Sequence, residues 1–80
     1  MRDAITIRRS TEADSADIFR LALLDDRAAP KGETMLAFVD GELRAAMPLK
    51  KHDGVVADPF HLTADVVHLL ELRAGQEAAA

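Results

Sequence analysis

The sequence predicts an α+β domain in the order β-α-β-β-β-α, a small antiparallel sheet with two helices. Three observations predict it. Asp40-Gly41 interrupts two strand-like apolar runs, the strongest short-range signal for a hairpin. Ile18, Leu21 and Ala22 recur at helical spacing behind the start signal Thr11-Glu12-Ala13-Asp14. Val66, Val67, Leu69, Leu70 and Leu72 crowd a second helical pattern that follows Pro59.

Taken in order, Ile5-Thr6-Ile7-Arg8 alternates apolar and polar residues as a short, half-buried strand does. Thr11 followed three places on by Asp14 is a variant of the capping box. Its hydroxyl can accept from orphan backbone N–H groups, and Glu12, Asp14 and Asp17 suit the positive end of the helix dipole. One apolar stripe of Ile18, Leu21, Ala22 and Leu24 or Asp25 then runs to about Arg27, and Ala28-Ala29-Pro30-Lys31-Gly32 ends it.

Thr34 to Val39 and Glu42 to Met47 form the hairpin arms around a type I′ turn at Asp40-Gly41, because both positions tolerate positive φ. That turn sets Val39 opposite Glu42, Phe38 opposite Leu43 and Leu36 opposite Ala45. Leu36, Phe38, Leu43 and Ala45 then share one face, and Met35, Ala37, Val39 and Ala46 the other. Both faces are apolar toward the middle, so each must be covered. Lys50-Lys51-His52-Asp53-Gly54 is a polar turn into a strand at Val55 to Ala57. Pro59 ends that strand because it has no N–H to donate. Thr63 is the expected N-cap of the second helix, with Asp65 in its first turn and Gly75 as its C-cap. Residues 1–75 are therefore expected to form a single domain, and residues 76–80 a flexible tail.

Composition narrows the classes of function. The eighty residues are 49% apolar and 30% charged, with a net charge of −4 and no cysteine. Disulfides and thiolate metal sites are thereby excluded. The acidic balance argues against a nucleic-acid partner. No apolar run approaches the roughly 20 residues of a membrane span and no signal-peptide core opens the chain, so no membrane role and a cytoplasmic location are expected. A chain this short usually needs a staple or a partner subunit to be comfortably stable.

Several side-chain groups invite a chemical reading, and each has a simpler one. His61, Asp65 and His68 stand at i, i+4 and i+7, a spacing that a divalent cation would accept on one helix face. Pro59-Phe60 delays the helix, however, which leaves His61 outside it and Asp65 serving the dipole. Asp25-Asp26 reads as helix-end charge and Asp53 as a turn residue. Ser10 and Ser15 have no neighbouring His and read as helix-start residues. Lys50-Lys51-His52 is too short for a phosphate-binding patch. Met35, Met47 and Phe38 read as core. No catalytic, cofactor-binding or metal-binding residue is assigned, and no cofactor is expected.

Three phrases resemble the N-terminal half of GNAT-superfamily acetyltransferases. Ile5-Thr6-Ile7-Arg8-Arg9-Ser10-Thr11-Glu12-Ala13-Asp14 is similar to the family's "IRxATxxD" opening. Val39-Asp40-Gly41-Glu42-Leu43 resembles its "V-D-G-x-x-V-A" hairpin, and Val56-Ala57-Asp58-Pro59 its Pro-ended strand before the acetyl-CoA site. The resemblance implies a half-GNAT-like fold without the family's later strands and last helix. It also implies where CoA would be held, by a Q/R-x-x-G-x-G/A motif whose glycines let backbone N–H groups meet the pyrophosphate. Those positions fall at Leu62, Asp65 and Val67, and all three depart from the pattern. An Asp65 carboxylate about 4 Å from a diphosphate charge would cost on the order of 4 kcal/mol at an effective dielectric of 20. The expected function is therefore a non-catalytic protein-interaction or regulatory module, self-associating as a homodimer or binding another protein. The alternative is a degenerate acyltransferase relative holding an acyl-CoA or other small ligand across a dimer interface. Pairing of the Val55 to Ala57 edge would place Val55, Val56, Phe60, Val66, Leu69 and Leu70 at the interface.

Overall fold

A computed structural model describes residues 4–50, 54–60 and 64–79. Among the described residues are four strands and two α-helices: β1 (Ile5–Arg9), α1 (Ser15–Leu24), β2 (Thr34–Val39), β3 (Glu42–Pro48), β4 (Val56–Ala57) and α2 (Ala64–Ala79). The sheet is antiparallel throughout, with strand order β1-β2-β3-β4. The small α+β architecture expected of the sequence is formed, and one helix covers each face of the sheet.

Chain entry into α1 is governed by Asp14. A single 3-10 turn, Glu12–Asp14, precedes the helix, and the Asp14 carboxylate reaches back to accept the Thr11 N–H at 2.7 Å and the Thr11 hydroxyl at 3.2 Å. These contacts close the capping box that the sequence pattern predicts, with the Thr11 hydroxyl also donating to the carboxylate. Ile18, Leu21 and Ala22 are buried, whereas Leu24 is exposed. Asp25 and Asp26 close the helix, Asp26 with a φ of 51°.

The hairpin turn is formed by Asp40 and Gly41 at φ of 52° and 83°. Asp40 also anchors the start of β1: its N–H donates to the Ala4 carbonyl at 2.8 Å, and its Oδ1 accepts the Ala4 N–H at 3.0 Å. Val39 lies opposite Glu42 and Phe38 opposite Leu43, but Leu36 lies opposite Ala46 rather than Ala45. The cause is a bulge: Ala37 pairs with Ala45 and Phe38 with Leu43, so Arg44 has no opposite residue on β2. One extra residue inverts side-chain parity beyond it. Ala45 and Ala46 thus exchange the faces that regular alternation assigns them.

Two cores result. Leu36, Ala46 and Val56 pack beneath Ile18, Leu21 and Ala22 of α1, with Phe38 and Leu43 against them. Met35, Ala37, Ala45 and Met47 pack beneath Val66, Leu70 and Ala74 of α2, with Ile7, Val55 and Ala57 against them. Both faces of the hairpin are covered, as its two apolar sides require.

α2 does not end at Gly75. It continues through that residue to Ala79, because Gly75 keeps a negative φ and Gln76, Glu77, Ala78 and Ala79 all favour helix. The Thr63 cap lies outside the described residues.

Candidate functional site

The densest polar cluster sits where the bulge meets the end of β4. Arg44 Nη1 donates to Asp58 Oδ2 at 2.8 Å, and its Nη2 donates to Glu42. The Asp58 N–H returns to the Arg44 carbonyl at 2.8 Å, and Asp58 Oδ1 accepts the Phe60 N–H at 2.8 Å. The carboxylate thereby caps a turn through Pro59, and burial among these donors satisfies it. Beside this cluster lies an open cleft of about 340 Å³ between α1 and the hairpin tip. Its apolar wall is Leu21, Leu24, Phe38 and Leu43, and Asp17, Arg20, Glu42 and Arg44 form its rim. Arg20 stands 3.7 Å from Asp17. The rim charges pair with each other, so the cleft offers little net charge to a charged ligand.

A second cleft of about 550 Å³ opens between the start of α1 and the loop before β2, walled by Ile18, Phe19, Ala29 and Pro30. Close to it Arg8 and Asp14 form an ion pair. Arg8 grips Asp14 through two bonds of 2.9 Å, and its guanidinium lies 4.8 Å from the Phe38 ring centroid. The Arg8 bonds, aided by the Thr11 N–H and hydroxyl, hold the Asp14 carboxyl well below the usual carboxylate range, against the opposing pull of burial. The same pairing raises the Arg8 guanidinium above its ordinary value. This arrangement locks β1 to the start of α1 and leaves no proton to exchange near neutrality.

The residues singled out by sequence fall as follows. Asp65 and His68 are exposed on α2 and His61 lies outside the described residues; among the described residues no cluster of metal-ligating side chains forms. Lys51, His52 and Asp53 are likewise outside, and Lys50 is exposed. Ser15 donates its hydroxyl to the Glu12 carbonyl at 2.9 Å, a helix-start contact. Met35 and Met47 are core residues. At the positions of the CoA motif, Asp65 is exposed and Val67 half-buried, and Leu62 lies outside the described residues.

Of the six residues expected at an interface, Val56, Val66 and Leu70 are buried in the chain's own cores and Val55 is half-buried. They are not surface residues, because α1 covers Val56 and α2 uses Val66 and Leu70 to cover the sheet. Phe60 and Leu69 are exposed, Phe60 at 75%. Sequence reasoning missed the other exposed apolar residues: Ile5 on β1, Phe19, Leu23 and Leu24 on α1, and Leu72 on α2. Phe19 and Leu23 stand at i and i+4, next to the buried Ile18 and Ala22, which is a signal the sequence does carry.

The two edges of the sheet differ. β4 has only two residues, and its outward N–H, that of Ala57, donates to Asp25 Oδ2 at 3.1 Å. β1 has five residues and no described strand beyond it.

No protein-family model, no curated protein and no solved structure matches the chain. Among the described residues, no helix is long and apolar enough to cross a membrane.

Proposed function

We propose that this chain is a non-catalytic interaction module on a half-GNAT-like scaffold and that it associates with itself. The observation that carries the reading is the apolar surface left outside both cores: Ile5, Phe19, Leu23, Leu24, Phe60, Leu69 and Leu72 are exposed on an 80-residue chain. Fully burying a side chain of this size is worth about 1.5–3 kcal/mol. A domain so small gains proportionally more from a partner than a large one. The strand and helix order, with one helix on each face, supports the half-GNAT-like scaffold. The exposed Asp65 at the first turn of α2 supports the non-catalytic reading, because it places a carboxylate where that resemblance would have a pyrophosphate.

Light scattering across a dilution series tests the proposal. A mass twice that of the 8.7 kDa chain that persists into the low micromolar range is expected. A single-chain mass at every concentration would overturn self-association. A thermal-shift screen with acyl-CoAs separates the other reading: under the interaction-module reading the melt does not move, and a saturable rise would favour a ligand-binding acyltransferase relative.

A further inference from the structure

Among the described residues, the outer edge of β1 is the extended backbone surface that the fold leaves open, and its phase is fixed by the ladder on its other side. Asp40 donates to the Ala4 carbonyl and Ser10 donates to the Thr34 carbonyl, each at 2.8 Å. Even-numbered residues of β1 therefore turn their backbone groups toward β2, and Ile5 and Ile7 turn theirs outward. Nothing among the described residues bonds those outward groups of Ile5 and Ile7.

Natural edge strands are guarded by proline, by bulges, by short length or by free charges. β1 has neither proline nor bulge. Its two cations are each paired within the chain, Arg8 with Asp14 at 2.9 Å and Arg9 with Glu33 at 3.4 Å, while both side chains stay nearly half exposed. The other edge, by contrast, is short and is stoppered by Asp25.

We propose that a second copy of this chain pairs antiparallel with β1 across a two-fold axis at Thr6, joining the two four-stranded sheets into one. The proposal rests on the self-association reading and names its surface. The argument for a second copy is that this edge is complementary to itself when the pairing is centred on Thr6. Centred on Thr6, Ile5 lies opposite the partner's Ile7, and Ile7 opposite the partner's Ile5, so the free N–H and C=O groups of both residues exchange bonds reciprocally. The exposed Ile5 side chain is then covered by an isoleucine on the same face, and Thr6 meets the partner's Thr6, a favourable cross-strand pair. Arg8 falls opposite the partner's Ala4. Sliding the pairing so that its centre is Arg8 would set Arg8 against the partner's Arg8, and like charges directly opposite each other are destabilising. Charge repulsion therefore disfavours the Arg8-centred register.

Two variants and one measurement on the unaltered chain test this. Thr6 is exposed, so Thr6→Arg adds a surface charge to the single chain, yet it brings two guanidiniums together on the two-fold axis. Ile5→Pro deletes an outward donor without touching the ladder to β2, at the first strand residue, where proline is tolerated. Each is expected to weaken the dimer at least tenfold in a dilution series, with the far-UV circular dichroism of the diluted chain unchanged. In the unaltered chain, amide exchange at Ile5 and Ile7 is expected to slow as concentration rises through the dimer range. This readout needs no variant to fold. A dimer whose Ile5 and Ile7 amides exchange as fast as exposed amides, or that tolerates Thr6→Arg, would overturn pairing at β1 while leaving self-association intact. A chain that stays single at all concentrations would overturn both.

Discussion

Replacing Asp14 by Asn keeps the side chain's size and removes its charge, and the structure allows the cost to be worked out. Asp14 accepts two bonds from Arg8 and two from Thr11. The Asn oxygen keeps the Thr11 contact only as a neutral acceptor, which costs about 1 kcal/mol relative to the ionised carboxylate. The Arg8 pair is partly open to solvent, with side-chain exposures of 44% for Arg8 and 11% for Asp14, so screening holds its worth to about 1 kcal/mol. The sum of about 2 kcal/mol compares with about 4–12 kcal/mol for a whole domain of this size. At about 4–8 °C per kcal/mol, the melt should fall by about 8–16 °C. The pH dependence carries a definite sign. The folded carboxyl titrates well below its unfolded value of about 3.9, so the unfolded chain takes up the proton first as pH falls. The stabilisation is fully present above about pH 5 and is lost progressively below pH 4, toward the depressed folded value. Urea unfolding at fixed protein concentration, followed by far-UV circular dichroism because the chain has no Trp or Tyr, should show wild type and Asp14→Asn furthest apart near pH 7. The two should converge as the buffer is taken toward pH 2. An equal gap at pH 7 and pH 2, or no gap at pH 7, would refute the assignment of the stabilisation to the ionised carboxylate.

Gly75→Ala should stabilise the chain by about 0.5–1 kcal/mol: the position is helical, and an added Cβ meets nothing within 4 Å. A lower midpoint in urea would mean that the helix does not run through it. Gly41→Ala should cost about 1–2 kcal/mol despite the open space around it, since its φ of 83° disfavours any Cβ; an unchanged midpoint would count against the type I′ turn. Leu70→Ala removes a fully buried side chain from the centre of the α2 core. It should cost about 3 kcal/mol or more, read as a lower urea midpoint by circular dichroism, whereas Leu72→Ala should cost under about 0.5 kcal/mol to the single chain.

The hairpin was legible because Asp-Gly leaves few alternatives: positive φ at both positions is a local property that the residues themselves announce. The bulge was not. Leu43-Arg44-Ala45-Ala46 carries two adjacent alanines that fit either face, so alternation offers no sign of where parity breaks. Arg44, the extra residue, bonds to Glu42 on its own strand and to Asp58 beyond β4, and the second contact joins elements that alternation along one strand does not reveal. Gly75 misleads for a related reason: a glycine near the end of an apolar pattern resembles a cap, but helix-favouring residues beyond it carry the backbone through. The apolar crowd on α2 reads from sequence as one broad face. Only contact with the sheet divides it into the buried Val66, Leu70 and Ala74 and the exposed Leu69 and Leu72. Edge exposure is likewise a property of the assembled sheet. Neither the stopper at Ala57 nor the open flank at Ile5 can be seen before the strands are placed.

The bond from Asp25 to the Ala57 amide spans 32 residues and joins the end of α1 to a strand too short to hold itself. With only two ladder pairs to β3, β4 gains little until the hairpin is complete and α1 is docked. It is therefore expected to form late in folding, which a φ-value near zero for a substitution at Ala57 would check. The same bond makes the two elements one cooperative unit in the native state: fraying at the end of α1 frees Ala57, and release of β4 uncovers Val56 beneath the helix. A single carboxylate thus ties the end of α1 to the far edge of the sheet, and the two are expected to open together in amide exchange.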